Sequence, residues 1–282
     1  MIMITDKKKK LVGIVLSAIG GILGVVGHWL LFIMYYEPYQ AAMLAPPPTG
    51  VGTDAIIVAF LPVIADFGII SGIMYLLAAM GFFYETDWAL PAALAANIFA
   101  LLAGFWPFIP AITVAQPPVY LPFAFLPNLV LFFVLVLYVA DASWTQTLLA
   151  LTVGIAFVMT FMNGVASTNR ILGVNAGRVT GNLEIAAPIY VLSQRINWIS
   201  AFGYAAVTYG IILLKDKDWV RFIGIGSAVL CLLGGMPLAI LNTIDKGGEL
   251  SMFFFAPILS IPLVLIFLWP RFWNKLVKAE AV

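Results

Sequence analysis

The chain has 282 residues, of which 63% are hydrophobic and only 10% are charged, and its net charge at pH 7 is +1. Soluble domains carry about 25% charged residues, so this composition excludes a soluble globular protein and predicts an integral membrane protein. The balanced charge gives no attraction for nucleic acid, and a single histidine and a single cysteine exclude intramolecular disulfides, bis-histidine haem sites and Cys/His dyads.

Eight apolar segments follow one another along the chain, each close to the ~20 residues that a helix needs to cross the bilayer. Short breaks rich in Pro, Gly, Lys and Asp separate them, and none is long enough to hold a soluble domain. We therefore predict an all-α integral membrane protein with eight transmembrane helices. The predicted spans are residues 11–36, 60–84, 89–113, 120–140, 145–168, 189–214, 219–242 and 251–270.

The first span follows the basic run Lys7–Lys10. It is about twice as long as the apolar core of a signal peptide, so we interpret it as a retained helix. Its small residues, among them Gly20 and Gly24, form a face that lets another backbone approach closely. His28 lies beside this face, and we predict that it donates one hydrogen bond to a neighbouring carbonyl. Axial ligation of a haem or chlorin by His28 is the alternative, which leaves cofactor binding at this residue open.

The third, fourth and fifth spans contain one asparagine each, at Asn97, Asn128 and Asn163. Amide side chains inside a membrane hydrogen-bond across helices. Because the three residues are distributed evenly over the spans, we predict that they hold helices together. Lining a polar path through the membrane is the alternative role.

The second half of the chain weakly repeats the first. Asp87-Trp88 reappears as Asp218-Trp219, a separation of 218 − 87 = 131 residues. An internal duplication decides the architecture, so we predict two four-helix repeats, residues 1–142 and 143–282. Four spans are an even number, so both copies enter the membrane in the same orientation and form a parallel repeat. The further matches are Gly72 with Gly203 and Gly104 with Gly235 at a separation of 131, and Phe123, Phe125, Pro127 and Leu129 with Phe253, Phe255, Pro257 and Leu259 at 130.

Two ionisable residues lie inside predicted spans, where charge is costly and marks functional candidates. Asp66 and Arg195 lie 18 and 20 residues from the inner ends of their spans at Tyr84 and Lys215, near the outer edge of the hydrocarbon. The repeat register places Asp66 opposite Asn197. We predict that Asp66 and Arg195 form a contact between the repeats, with Asn197 and His28 as further candidate polar contacts. Independent snorkelling of the two charges into headgroups is one alternative, and a role in transport is another.

The basic residues of the short loops predict the orientation. With a cytoplasmic N-terminus, ten Lys and Arg residues fall inside and four fall outside, and both termini are cytoplasmic. Tyr35, Tyr36 and Tyr39 then lie at the outer interface, as expected for an aromatic belt. The four outside residues are Arg170, Arg178, Arg195 and Lys246; the ten inside are Lys7, Lys8, Lys9, Lys10, Lys215, Lys217, Arg221, Arg271, Lys275 and Lys278.

The sequence contains no phosphate-binding loop, nucleophile elbow, metal-binding helix motif or paired catalytic carboxylates. We therefore expect no enzyme activity, no catalytic residues, no metal site and no cofactor. Short loops and few intramembrane charges favour a non-catalytic subunit or scaffold of a larger complex in the cell membrane, with the lipid bilayer and other membrane subunits as partners. The alternative is a small-solute carrier or channel whose path lies between the two repeats, which the prolines inside the spans favour.

Overall fold

The computed structural model describes residues 4, 6–44, 60–175, 183–214, 218–245 and 247–278, and within these ranges the chain is helical without a strand. The predicted turn at Ala45–Pro48 and four of the orientation-setting residues, Arg178, Lys215, Lys217 and Lys246, lie outside the described residues. Nine helices follow in the described chain. They are α1 (Lys7–Ile22, a π-helical turn Leu23–Gly27 and His28–Leu44), α2 (Leu61–Phe83), α3 (Ala89–Phe105 and Phe108–Thr113), α4 (Leu121–Phe125, Leu126–Val134 and Leu135–Val139), α5 (Trp144–Asn175), α6 (Leu183–Leu213), α7 (Asp218–Asp245), α8 (Met252–Phe254 and Phe255–Leu268) and α9 (Pro270–Trp273 and Asn274–Lys278).

Seven of the described helices are long and apolar enough to cross a membrane, and α8 with α9 makes an eighth if the bent pair counts as one span. The prediction of an all-helical chain with several candidate membrane spans is therefore confirmed for the described residues. Two predicted spans differ from the structure. The first helix, α1, begins at Lys7 and ends at Leu44, well beyond residues 11–36, and the last span bends by 91° between Leu268 and Pro270.

Local sequence explains several helix ends. The Asp6 carboxylate accepts from the backbone N–H of Lys8 at 2.8 Å and begins α1. At the start of α5, the Ser143 hydroxyl accepts from the Gln146 backbone and the Gln146 side chain accepts from the Ser143 backbone, which is a reciprocal capping box. Ser251 caps the turn that begins α8 in the same way, since its hydroxyl accepts from the backbone N–H of Phe253 at 3.1 Å.

The chain forms two compact units, residues 1–147 and 148–282, with the boundary in the first turn of α5. In the first unit α2 packs between α1 and α3, and α3 packs against α4. In the second unit α7 packs between α6 and α8. The helix α5 joins this bundle through side chains, with Gly164 against Trp198 of α6 and Thr160 against Cys231 of α7.

Candidate functional site

The helices α1 and α2 of the first unit touch backbone to backbone. A Cβ atom added at Gly24 would lie 2.4 Å from the Cα of Gly72, and one added at Gly72 would lie 2.4 Å from the backbone nitrogen of Val25. The predicted glycine face on α1 is therefore used for a close helix crossing. At this crossing α1 contains the π-helical turn Leu23–Gly27, a feature frequently found at functional sites.

His28 follows this turn directly and is completely buried. Its ring lies flat against α2, because a Cβ at Gly68 would come within 2.2 Å of the ring's Cγ. Neither ring nitrogen has a hydrogen-bond partner among the described residues. The predicted bond from His28 to a neighbouring carbonyl is therefore absent from the described part of the chain, and both nitrogens are unpaired there.

Tyr120 lies beside this imidazole, with its ring centroid 6.2 Å from that of His28. The Tyr120 side chain is 1% exposed, and its hydroxyl has no hydrogen-bond partner within the described ranges. Leu31 and Ala124 pack against it and make its surroundings apolar. Below we call His28 and Tyr120 the imidazole–phenol pair. Its three unpaired polar atoms can accept or donate further hydrogen bonds.

A polar bridge crosses the same unit between α2, α3 and α4. The Asn97 amide donates to the Tyr75 hydroxyl at 2.7 Å and to the Asn128 carbonyl oxygen at 2.9 Å. The Asn128 amide in turn donates to the carbonyl of Ala124 at 2.9 Å. The role of Asn97 as a link between helices agrees with the prediction, whereas its partner Tyr75 was not anticipated, since tyrosines in apolar spans are expected at the interfaces.

The second unit contains an equivalent bridge made of hydroxyl groups. Tyr204 of α6 donates to the Ser260 hydroxyl of α8 at 2.7 Å, and Ser260 donates to the Ala256 carbonyl at 2.8 Å. The third asparagine, Asn163, donates to the carbonyl of Phe253 at 3.1 Å. These bonds tie α5, α6 and α8 together inside their own unit, and neither Tyr204 nor Ser260 was recognised in the sequence because single hydroxyl residues carry no spacing signal.

Asp66, Arg195 and Asn197 occupy different environments. Asn197 is completely buried on α6 and donates to the Ser193 carbonyl at 2.8 Å, four residues back along the helix. Asp66 on α2 and Arg195 on α6 are both exposed. The pairing of Asp66 with Arg195 remains a prediction.

The ion pairs of the described residues lie at the ends of helices. Lys10 contacts Glu85 at 2.6 Å just after α2, and Lys9 contacts Asp141 just after α4. The hydrogen bond and the positive charge of Lys10 lower the pKa of the Glu85 carboxyl. These pairs connect the start of α1 to the ends of two neighbouring helices. Within the described ranges, no group of three His, Cys, Asp or Glu residues is placed to hold a metal ion.

Comparisons with known proteins add no identification: no family model, no curated protein and no solved structure matches this chain.

Proposed function

We propose that the chain is a non-catalytic subunit or scaffold of a membrane complex, and that a partner covers the outward faces of α2 and α6. One observation carries the proposal. Each of these two helices presents one charged residue, Asp66 or Arg195, on an exposed face inside a candidate span. A charge that faces lipid is unfavourable, whereas a partner helix with a complementary group removes most of that cost.

The exposed faces are otherwise apolar and regular. On α2 the face consists of Val63, Asp66, Ile70 and Ile73, which we call the acidic stripe. On α6 it consists of Leu192, Arg195, Ile199 and Phe202, which we call the basic stripe. Residues three and four positions apart lie on one side of a helix, so each stripe is continuous.

The two stripes support an internal duplication, because they correspond at one register, 195 − 66 = 129 residues. From Leu61 to Tyr75 and from Tyr190 to Tyr204, the pattern of buried, half-buried and exposed residues is the same at every position except Ala65 and Gln194. In this register Asp66 corresponds to Arg195 itself. Identical residues in these helices are Ile70 and Ile199, Ser71 and Ser200, Tyr75 and Tyr204, and Gly81 and Gly210.

This register replaces the match of Gly72 with Gly203 and of Asp66 with Asn197. Gly72 packs on α1 of its unit, whereas a Cβ at Gly203 would meet the Ser227 hydroxyl of α7, so the two glycines have different neighbours. In α3 and α7 the separation of 131 fits the burial pattern, since every buried position from Val220 to Gly235 falls on a buried position of α3.

Two contacts recur in both units when α4 is matched to α8 at 260 − 128 = 132 residues. A Cβ at Gly104 would meet the backbone of Phe125, and one at Gly235 would meet the ring of Pro257. The bond from Asn128 to the Ala124 carbonyl likewise corresponds to the bond from Ser260 to the Ala256 carbonyl. These recurrences support the proposal that the chain consists of two four-helix repeats inserted in the same orientation.

Photo-crosslinking of the full chain in its own membrane tests the proposed function. A photoreactive residue at Ile70 or at Ile199 should give protein adducts, because a partner covers both stripes. The matched control is Leu265 of α8, which is 58% exposed and lies on neither stripe. If Ile70 and Ile199 yield only the lipid adducts obtained at Leu265, the chain has no partner at these faces and the proposal is wrong.

A small-solute carrier or channel is the second candidate, and the imidazole–phenol pair favours it. A buried polar atom without a partner is costly and is rare in native proteins, and here three such atoms lie on two neighbouring side chains. A transported or bound polar solute would satisfy them. Replacement of His28 with Phe should then abolish uptake of that solute in proteoliposomes while the stripe adducts persist; uptake unchanged by His28→Phe would contradict this role.

A further inference from the structure

We infer that the partner of the acidic stripe is the basic stripe of a second copy of this chain. The inference rests on the proposed function, which does not identify the partner, and it names that partner. Both stripes are exposed, and they carry opposite charges at equivalent positions. The sequence suggests a pairing of Asp66 with Arg195 inside one chain; because both charges are exposed, we propose that they pair between two chains.

The apolar parts of the two stripes have matching shape. In both, the charged residue comes three positions after the first apolar residue and four positions before the second, and the next apolar residue follows three positions later. The flanking side chains are well exposed, with Ile70 at 47% and Ile199 at 63%. Two helices with the same spacing of large side chains can interdigitate along their whole stripes.

The depth of the two charges also matches. Asp66 lies 83 − 66 = 17 residues before the end of α2 at Phe83, and Arg195 lies 213 − 195 = 18 residues before the end of α6 at Leu213. At about 1.5 Å per residue, both charges lie roughly 26 Å from the ends of their helices. Two copies inserted in the same orientation therefore bring the carboxylate and the guanidinium to the same level.

Charge sign determines which stripes pair. Two acidic stripes would bring Asp66 next to another Asp66, and two basic stripes would bring two Arg195 guanidinium groups together; both arrangements are repulsive in a medium of low dielectric constant. Only the contact of an acidic with a basic stripe neutralises both charges. Repulsion between like charges in the wrong pairings is one way in which helices select their partners.

Two differently tagged full-length chains, co-expressed in one membrane, test the inference. A photoreactive residue at Ile70 of one chain should give an adduct of twice the chain mass, with the crosslinked peptide in residues 188–213 of the other. The changes Asp66→Arg and Arg195→Asp should each reduce this adduct roughly ten-fold or more, because each places like charges in contact. The double change in both chains should restore it, since the charges are then exchanged.

The controls separate this inference from the proposed function. Glu249→Arg changes an exposed charge outside the stripes and should leave the adduct unchanged. An adduct of Ile70 with a different protein would overturn the inference but keep the proposed function. An adduct to residues 188–213 of the same chain would overturn pairing between copies. Lipid adducts alone would overturn both. Restoration by the double change also shows that the single variants lose pairing rather than folding.

Discussion

Two acidic residues hold unusual backbone positions at helix ends. Glu85 and Asp141 have φ angles of +57° and +51°, a region that favours glycine. Each follows a helix of the first unit and forms an ion pair with a lysine of the first turn of α1. Glycine at either position would relieve the backbone strain. The ion pair with α1 is an interaction that can compensate for this strain.

We expect Asp141→Gly to be more stable than Asp141→Ala by about 1 kcal/mol, because a Cβ is unfavourable in the left-handed region. Both variants lose the contact with Lys9, so the difference between their free energies of unfolding reports the effect of the backbone conformation at position 141. Thermal melting of the purified chain in detergent measures it. Equal melting temperatures for the two variants would show that the φ angle at position 141 carries no strain.

The two buried tyrosines provide a second test at the scale of single residues. We expect Tyr75→Phe and Tyr204→Phe each to destabilise its unit by about 1 kcal/mol, because the hydroxyl bonds to Asn97 and Ser260 are lost. Tyr138→Phe is the control, since Tyr138 is 42% exposed. Denaturant titration in mixed micelles measures the loss of stability. A Tyr204→Phe variant as stable as the control would argue against the polar bridge of the second unit.

At the scale of helices, the crossing of α1 and α2 depends on the absence of a single Cβ. Gly24→Ala should weaken this packing by about 1–3 kcal/mol, since overpacking forces the backbones apart. Gly27→Ala is the matched control on the same turn of helix, because a Cβ there meets nothing within 4 Å. Melting curves of the two variants measure their stability. If Gly27→Ala lowers the melting temperature as much as Gly24→Ala does, the loss of stability comes from a change in helix conformation and not from the crossing.

The short helix α9 turns away from α8 by 91°. Trp273 and Val277 are completely buried, and Trp273 lies against Phe267 at 5.9 Å between ring centroids. Arg271 and Lys275 are exposed and lie one turn apart. A basic, aromatic-rich helix across the end of a membrane span is typical of an interfacial helix.

We therefore expect α9 to lie parallel to the membrane surface. Nitroxide labels at Arg271, Phe272 and Lys275, introduced one at a time in a Cys231→Ser background, should report similar depths in power-saturation measurements. Lys8, exposed at the start of α1, serves as the aqueous reference. A steady increase in depth from Arg271 to Lys275 would instead make this segment a re-entrant loop.

For the molecule as a whole, we expect both termini to be cytoplasmic, because ten of the fourteen basic residues fall on that side. Cysteine at Glu249 should react with an impermeant maleimide added to intact cells, whereas cysteine at Thr86 should react only after permeabilisation. The Cys231→Ser chain without added cysteine is the control. Labelling of Thr86 in intact cells would reverse the orientation.

The sequence by itself determined that the protein is helical and multi-pass; its eight predicted spans compare with seven described helices, or eight with the bent pair, that are long and apolar enough to cross a membrane. A backbone in hydrocarbon must satisfy its own hydrogen bonds, so an apolar run of sufficient length is a helix whatever its residues are. The same reasoning predicts the depth of Asp66 and Arg195, because distance along a helix is proportional to residue number. It also found the glycine face of α1, since small residues in that pattern have few other uses.

Only the tertiary structure decided which side of each helix faces inward. Both the lipid-facing and the bundle-facing sides are apolar, so hydrophobic periodicity does not indicate which side of a helix faces the bundle. For this reason the complete burial of Tyr39 could not be read from the sequence, and the repeat register that we propose for α2 differs by two residues from the one that the sequence alone predicts. The imidazole–phenol pair, the bridges through Tyr75 and Tyr204 and the exposed stripes all depend on helix rotation, which is determined by packing between side chains distant in the chain.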